Sequence, residues 1–193
     1  MSLMTVECGM LELKEVNNMG FDVHGLSPKM NVELDDTSIY GMIESIQDYE
    51  KRWEMQDNLN KKDRNKYWKE YEDYHDNNPG IYFRNNVWWW RPLWTFVCEH
   101  CDDILTEEEM NAGSYNDGRK INSSKAVEIS VRLSELIDNG TVDEYSKDYE
   151  EQRKKMEKSE QKDTKFMASY PFSTENVIRF ALFCGESGGF TIC

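Results

Sequence analysis

The sequence predicts a mainly α-helical (α+β) domain of about five or six helices, with a small sheet of two or three strands that joins the two ends of the chain. Three observations favour this fold. Apolar side chains recur every three or four residues in several separate segments, which is typical of amphipathic helices. Short apolar segments near both ends have the character of strands. Aromatic residues make up 12% of the 193 residues, enough for an aromatic core.

The length of 193 residues suits one domain. We expect residues 1–18 to be an N-terminal extension or the remnant of a tag, because they show no clear period. Residues 19–193 are then the globular domain. Within it, segment 142–165 is mostly charged. It predicts either a solvated helix with one narrow apolar stripe or an arm that projects from the domain.

A strand and two helices are predicted first. Alternation over 21–24, ended by Gly25, predicts a strand. Apolar spacing over 39–53 predicts one helix, and the polar segment 58–66 predicts a corner. Aromatic residues at helical spacing over 67–75 predict a second helix, which the following Asn-Asn-Pro-Gly ends.

Segment 81–97 is the most aromatic part of the chain. Because proline suits the first turn of a helix and not its interior, Pro92 predicts a helix that begins near Arg91, with 88–90 in an extended or turn entry. Three consecutive tryptophans cannot all face one core, so at least one indole is expected at the surface or in a cleft. The apolar positions on one heptad stripe are Val87, Trp90, Trp94, Val97 and Cys101.

The second half contains a loop, helices and a closing strand. Glycine and asparagine within 106–122 predict an acidic turn and loop. A helix follows, capped by Ser123 or Ser124 and ended at Gly140. The last helix is capped by Ser173 or Thr174 and ends at Gly185. We expect strand 190–192 to pair with 21–23, which joins the ends of the chain.

The charge distribution bears on possible partners. Acidic residues outnumber basic ones 37 to 23, for a net charge of −14, which argues against direct nucleic-acid binding. Segments 33–50 and 99–117 hold six and seven acidic residues and no lysine or arginine. Such blocks suit a protein partner, including one with a basic groove that normally holds nucleic acid. The alternative is that they are solvated helix faces.

The apolar content argues against a membrane protein. No apolar run approaches the roughly 18 residues that span a bilayer, and the first residues lack the apolar centre of a signal peptide. Five cysteines, an odd number, suit a reducing compartment. We therefore expect a cytoplasmic protein.

A zinc site is one interpretation of the cysteines. Cys98 and Cys101 form a CxxC pair, and Cys184 and Cys193 lie near the other end of the sequence. The second spacing is wide for a zinc ribbon, and Cys101 falls on the apolar heptad stripe. The pattern therefore favours buried thiols, and we expect no metal or other cofactor.

Catalytic motifs are not found in the sequence. There is no HExxH pair and no glycine-rich phosphate loop. Residues 185–189, Gly-Glu-Ser-Gly-Gly, have the letters of the G-x-S-x-G nucleophile elbow, but the helix that should follow the elbow is missing. The sequence favours a protein without catalysis and leaves an enzyme open.

The polar residues around the tryptophans form a candidate ligand site. An exposed indole beside arginine and asparagine can stack on a planar group and bind a phosphate or carboxylate. The alternative is that these side chains cap backbone, form ion pairs or fill a core. The candidate ligand-binding residues are Arg84, Asn85, Asn86, Trp88, Arg91 and Asp117.

Distinctive motifs are spread over 19–193. They are MGFD at 19–22, YFRNNVWWWRPLW at 82–94, YNDG at 115–118, YPFS at 170–173 and SGGFTIC at 187–193. In these motifs the chain resembles a family of uncharacterised proteins of bacteriophages and bacteria. Some relatives carry cysteine-rich knuckles before the Tyr-Pro-Phe segment, where this chain has none, so a zinc role is not transferable. The resemblance implies a phage or mobile-element accessory protein in the host cytoplasm.

Two functional hypotheses follow. The first is a non-catalytic, phage-type accessory protein that binds a host or phage macromolecule through acidic faces and exposed aromatic residues. The second is a module, an enzyme included, that binds a small molecule or nucleotide at the Arg/Asn/Trp block, residues 84–91.

Overall fold

The two ends of the described chain meet in a four-stranded antiparallel sheet. The computed structural model describes residues 20–115 and 117–193, so the expected extension 1–18 lies outside the described residues. Strands β1 (Gly20–Gly25), β2 (Tyr82–Asn86), β3 (Lys120–Ile121) and β4 (Phe190–Ile192) lie in the order β2-β1-β4-β3. Val23 stands opposite Ile192, which confirms the predicted pairing of the first and last strands.

Nine helices are present in the described part of the chain, which confirms a mainly α-helical fold with a small sheet. Both counts exceed the prediction of five or six helices and two or three strands, because several predicted segments divide or gain a helix. The helices are α1 (Ile39–Glu44), α2 (Tyr49–Asp57), α3 (Lys61–Asn77), α4 (Val87–His100), α5 (Glu107–Tyr115), α6 (Ser123–Asp138), α7 (Thr141–Glu157), α8 (Lys162–Met167) and α9 (Thr174–Glu186).

One face of the sheet carries the main core. Side chains alternate along each strand, so Phe21 and Val23 of β1, Phe83 of β2 and Phe190 of β4 are buried on the same side. The buried faces of α4, α6 and α9 complete this core. The sheet and these three helices therefore form the two main layers of the domain.

A smaller layer of helices lies on the other side of the sheet. Tyr40 and Ile43 of α1 and Tyr67 of α3 form a separate buried cluster. The layer meets the outer face of β2, where the ring centroids of His75 and Tyr82 are 6.1 Å apart. The tyrosines of the first helices thus pack among themselves instead of joining the main core.

The helix predicted over 39–53 is in fact two helices, and that prediction is wrong. Ser45 ends α1. The Asp48 side chain accepts from the backbone N–H groups of Glu50 and Lys51 and so begins α2. Asn60 caps α3 in the same way, so α3 occupies most of the predicted corner at 58–66.

The prediction that helix α4 begins near Arg91 is wrong, because it begins at Val87. The Asn86 side chain accepts from the N–H groups of Trp88 and Trp89, at 3.1 and 3.2 Å, and caps the helix ahead of Pro92. Pro92 removes one backbone hydrogen-bond donor from the interior of the helix, which destabilises it. The proline ring is buried, and this burial offsets part of the lost stability. All five positions of the predicted heptad stripe are buried, as expected, and Trp89 is 37% exposed.

Segment 106–122 is not only a turn and loop, because it contains α5. Thr106 donates its backbone N–H to Glu109, and Glu109 donates its own N–H to the Thr106 hydroxyl. This reciprocal pair is a capping box. The α5 backbone is further held by the indole N–H groups of Trp90 and Trp94, which donate to the carbonyls of Gly113 and Met110.

The remaining helices follow the prediction with small differences. Asn122, and not Ser123 or Ser124, caps α6, and Gly140 at φ +82° forms the turn into α7. The predicted helix 142–165 is divided between α7 and α8. Ser173 caps α9, which continues one residue past Gly185.

We expect Trp90→Phe to lower the free energy of unfolding by about 1–3 kcal/mol, because a buried carbonyl of α5 loses its indole donor. Urea unfolding followed by circular dichroism measures this. Trp89→Phe is the control, because Trp89 is the preceding residue and is partly exposed. It should change the free energy of unfolding by less than about 0.5 kcal/mol. Equal losses in both variants would contradict the placement of the two indoles.

Candidate functional site

The two acidic blocks are partly neutralised by basic residues from outside them. Arg132 of α6 binds Asp103 at 2.8 Å. Lys125, also of α6, pairs with Glu109. In the first block, Glu44 binds Arg52 of α2 at 2.8 Å. Both blocks therefore carry fewer uncompensated charges than their sequences suggest, and part of their acidity holds helices together.

Exposed aromatic side chains gather on α2, which begins at the end of the first acidic block, and on α3, which follows it. Tyr49 and Trp53 of α2 are 64% and 59% exposed, and Trp68 of α3 is 46% exposed. The rings of Tyr49 and Trp53 are 6.1 Å apart. We call these three residues the α2–α3 aromatic surface. Large exposed apolar side chains grouped in this way are typical of interaction sites.

A groove of about 230 Å³ lies within this surface. Trp53 and Trp68 line it, together with Asp57 and Arg64. The Arg64 guanidinium donates to the backbone carbonyl of Asp57 at 2.7 Å, which links the end of α2 to the start of α3. The groove thus has indole walls and already accommodates a guanidinium group.

Helix α2 is held only lightly by the rest of the described chain. It contains no buried residue, although most helices of nine residues depend on a buried face for their stability. The Asp48 cap and the ion pair of Arg52 with Glu44 fix its first turns. Its aromatic side chains are therefore available to another molecule.

Three of the candidate ligand-binding residues, Arg84, Asn85 and Asn86, lie on β2. Arg84 stands opposite Asp22 of β1 and pairs with it at 3.5 Å. Asn85 points to the opposite face, where its amide donates to Asn176 at 2.9 Å. Asn86 caps α4. Both asparagines are thus committed to contacts within the protein.

Trp88 and Arg91 share a neighbour, Tyr170. The ring of Trp88 is 4.8 Å from that of Tyr170 and 5.6 Å from that of Phe166. The Arg91 guanidinium lies 5.8 Å from the centre of the Tyr170 ring, a cation–π contact. Sequence reasoning missed Phe166 and Tyr170, because no spacing relates 166–170 to the tryptophan block.

Asp117 lies in an exposed turn and accepts from the Arg119 backbone N–H at 3.1 Å. The six candidates are therefore divided between the outer face of the sheet, its buried face, the start of α4 and a separate turn. Ligand binding at the Arg/Asn/Trp block stays a prediction.

The cysteines are not arranged as a metal site. Across residues 20–115 and 117–193, no group of three or more histidine, cysteine, aspartate or glutamate side chains is placed to hold a metal ion. Burial raises the pKa of Cys98 and of Cys101 to about 12, so both are neutral thiols in the metal-free protein. Cys184 is buried and Cys193 is exposed, and among the described residues the four thiols considered for zinc are not grouped as metal ligands.

Ser187, the serine of the segment 185–189 that resembles a nucleophile elbow, is fully buried. Its hydroxyl donates to the Cys184 carbonyl at 3.1 Å. This position suits a structural hydroxyl and not an exposed nucleophile. No helix in the described part of the chain is long and apolar enough to cross a membrane.

Comparison of the chain with protein-family profiles, with curated proteins and with solved structures finds no match in any of the three. The resemblance to the phage and bacterial family stays a prediction.

We expect Lys125→Met to lower the free energy of unfolding by roughly 1–2 kcal/mol at pH 7, because the half-buried pair with Glu109 is lost. Burial alone would raise the pKa of Glu109, but hydrogen bonds from Lys125 and Thr106 outweigh it and hold that pKa below its usual value. The depressed pKa makes the contribution full above the unfolded pKa of about 4.3, and it is lost as the pH falls through the lower folded value.

Urea unfolding of wild type and Lys125→Met at pH 7 and pH 3.5 tests this. The difference between the two proteins should shrink at the lower pH. Arg119→Met removes an exposed pair with Glu108 and is the control, with an expected change below about 0.5 kcal/mol. A loss that is the same at both pH values would refute the role of this pair.

Proposed function

We propose that this chain is a non-catalytic, phage-type accessory protein that binds a protein partner through the α2–α3 aromatic surface. The observation that carries the proposal is the exposure of Trp53 and Trp68, at 59% and 46%, on either side of one groove. Tryptophans are enriched where proteins bind each other. The resemblance to phage proteins supports a place in the cytoplasm of a bacterial host.

The chemistry around the groove favours a basic partner. Asp57 lines it, with its carboxylate 4.0 Å from the Arg64 guanidinium. Glu50 lies in the first turn of α2, beside Tyr49. Glu50 forms no ion pair with any described residue. Indole faces attract guanidinium groups, and nearby carboxylates strengthen that attraction. An arginine-rich surface therefore fits both features of the site.

The net charge of −14 narrows the class of partner. Phosphate groups of a nucleic acid would be repelled, whereas a protein surface that normally binds nucleic acid would be attracted. We therefore expect the partner to be a host or phage protein with a basic groove of its own. This chain would occupy the partner's groove in place of nucleic acid.

Quantitative affinity capture from bacterial lysate with three forms of the protein tests the proposal. Wild type is compared with Trp53→Ala/Trp68→Ala and with Val127→Ser/Val131→Ser, a control in which two exposed valines of α6 are changed. We expect wild type and the control to capture the same basic protein, and the tryptophan variant to lose at least about 90% of it, since tryptophans are common binding hot spots. Added double-stranded DNA should compete for the captured protein.

Circular dichroism should show equal helix content in all three forms, because the changed side chains are exposed. The proposal fails if the tryptophan variant captures the same proteins as wild type, or if DNA leaves capture unchanged. Self-association that is lost in the tryptophan variant, measured by sedimentation, would instead assign the surface to a second copy of the chain.

A further inference from the structure

A cleft of about 180 Å³ lies between the end of α3, strand β2 and α9. Its apolar walls are Pro79, Phe83 and Leu182, and its charged or polar side chains are His75, Asp76, Arg179 and Tyr82. The Tyr82 hydroxyl donates to Asp22. We call it the His75–Arg179 cleft. It shares no lining residue with the α2–α3 aromatic surface.

Arg179 differs from most arginines of this protein. Of the eight arginines in the chain, six lie within 4.0 Å of a carboxylate. Arg179 forms no hydrogen bond or ion pair with the described residues. Its guanidinium lies 5.8 Å from the centre of the Phe83 ring. In a chain with 37 acidic residues, an unpaired guanidinium at a cleft is a vacant anion-binding group.

His75 adds a second polar group. Its Nδ1 lies 2.8 Å from the Tyr71 carbonyl, which only accepts, so Nδ1 is the donor. This leaves Nε2 without a hydrogen-bond partner in the described part of the protein. The imidazole is packed 4.1 Å from the Tyr71 ring, which holds it in place. The cleft therefore presents two polar groups whose hydrogen-bonding capacity is unused.

We propose that the His75–Arg179 cleft binds a small organic anion, in which a carboxylate or phosphate group is attached to a planar or apolar body. The anionic group pairs with the Arg179 guanidinium, and the body lies against Phe83, Pro79 and Leu182. Polar and apolar side chains line the cleft in similar numbers, so the charged group and the apolar body of such a molecule would each meet a matching wall. This site is additional to the partner surface and does not depend on it.

Because Asp76 and Arg179 carry opposite charges, removing each charge should change anion affinity in opposite directions. The Asp76 carboxylate lines the same cleft and is exposed, so it repels a bound anion. Arg179→Gln should weaken binding of an anion at least about tenfold, because a charge-assisted pair is lost. Asp76→Asn should tighten binding roughly two- to fivefold, because the repulsion is removed. A variant that is merely damaged would not bind more tightly.

Nuclear magnetic resonance titration of the ¹⁵N-labelled full chain measures both effects. Benzoate and phenyl phosphate are the anionic probes, and they distinguish a carboxylate from a phosphate ligand. Benzamide is the uncharged control, and inorganic phosphate tests whether the apolar body contributes. We expect saturable shifts of backbone signals at 75–83 and 179–182 with at least one anionic probe and none with benzamide. Arg119→Gln, far along the sequence and exposed, should bind as wild type does.

Three results would overturn the proposal. The first is no saturable shift with either anionic probe. The second is equal binding of benzamide, which would make the cleft a purely apolar site. The third is unchanged binding in Arg179→Gln, or weaker binding in Asp76→Asn, with the fold of each variant verified by its own spectrum. None of these results bears on capture by the α2–α3 aromatic surface.

Discussion

The packing of one side chain, Trp90, joins most layers of this protein. Its indole is fully buried and stacks on Phe21 of β1, with ring centroids 5.2 Å apart, and on Trp94, at 5.3 Å. It meets Phe180 of α9 edge to face, and its N–H donates to Gly113 of α5. A Cβ at position 113 would lie 2.1 Å from the Trp94 ring. The close approach of α5 to the tryptophans therefore requires glycine there.

The sheet separates two aromatic environments of different polarity. On one face, phenylalanine and tryptophan fill the main core with few polar atoms. On the other, burial raises the pKa of Tyr40 well above the usual tyrosine value and also raises the pKa of Tyr67. Because these tyrosines pack against each other between α1 and α3, they leave no apolar layer over α2 within the described part of the chain. The exposure of its aromatic residues follows from that arrangement.

Charges in this protein are balanced mainly by their immediate neighbours, although the chain as a whole is strongly acidic. Most arginines are paired with carboxylates. The two without such a pair among the described residues, Arg91 and Arg179, each lie 5.8 Å from the centre of an aromatic ring. Cation–π contacts hold a guanidinium without neutralising it. The protein thus keeps a few positive groups available on a negative background. The anion proposed for the His75–Arg179 cleft and the basic partner proposed for the α2–α3 aromatic surface carry opposite charges.

Local patterns in the sequence determined most of the helical fold, the strand character of the two ends, and the buried stripe from Val87 to Cys101, because spacing and periodicity are set by neighbours along the chain. Caps at Asn86 and Asp48 were less visible, since several residues compete for that role. Only the tertiary structure decided that Asn85 and Asn86 are used internally, that Trp53 and Trp68 share a groove, and that Arg179 and His75 line one cleft. These relations join residues distant in sequence, and no pattern of nearby residues encodes such contacts.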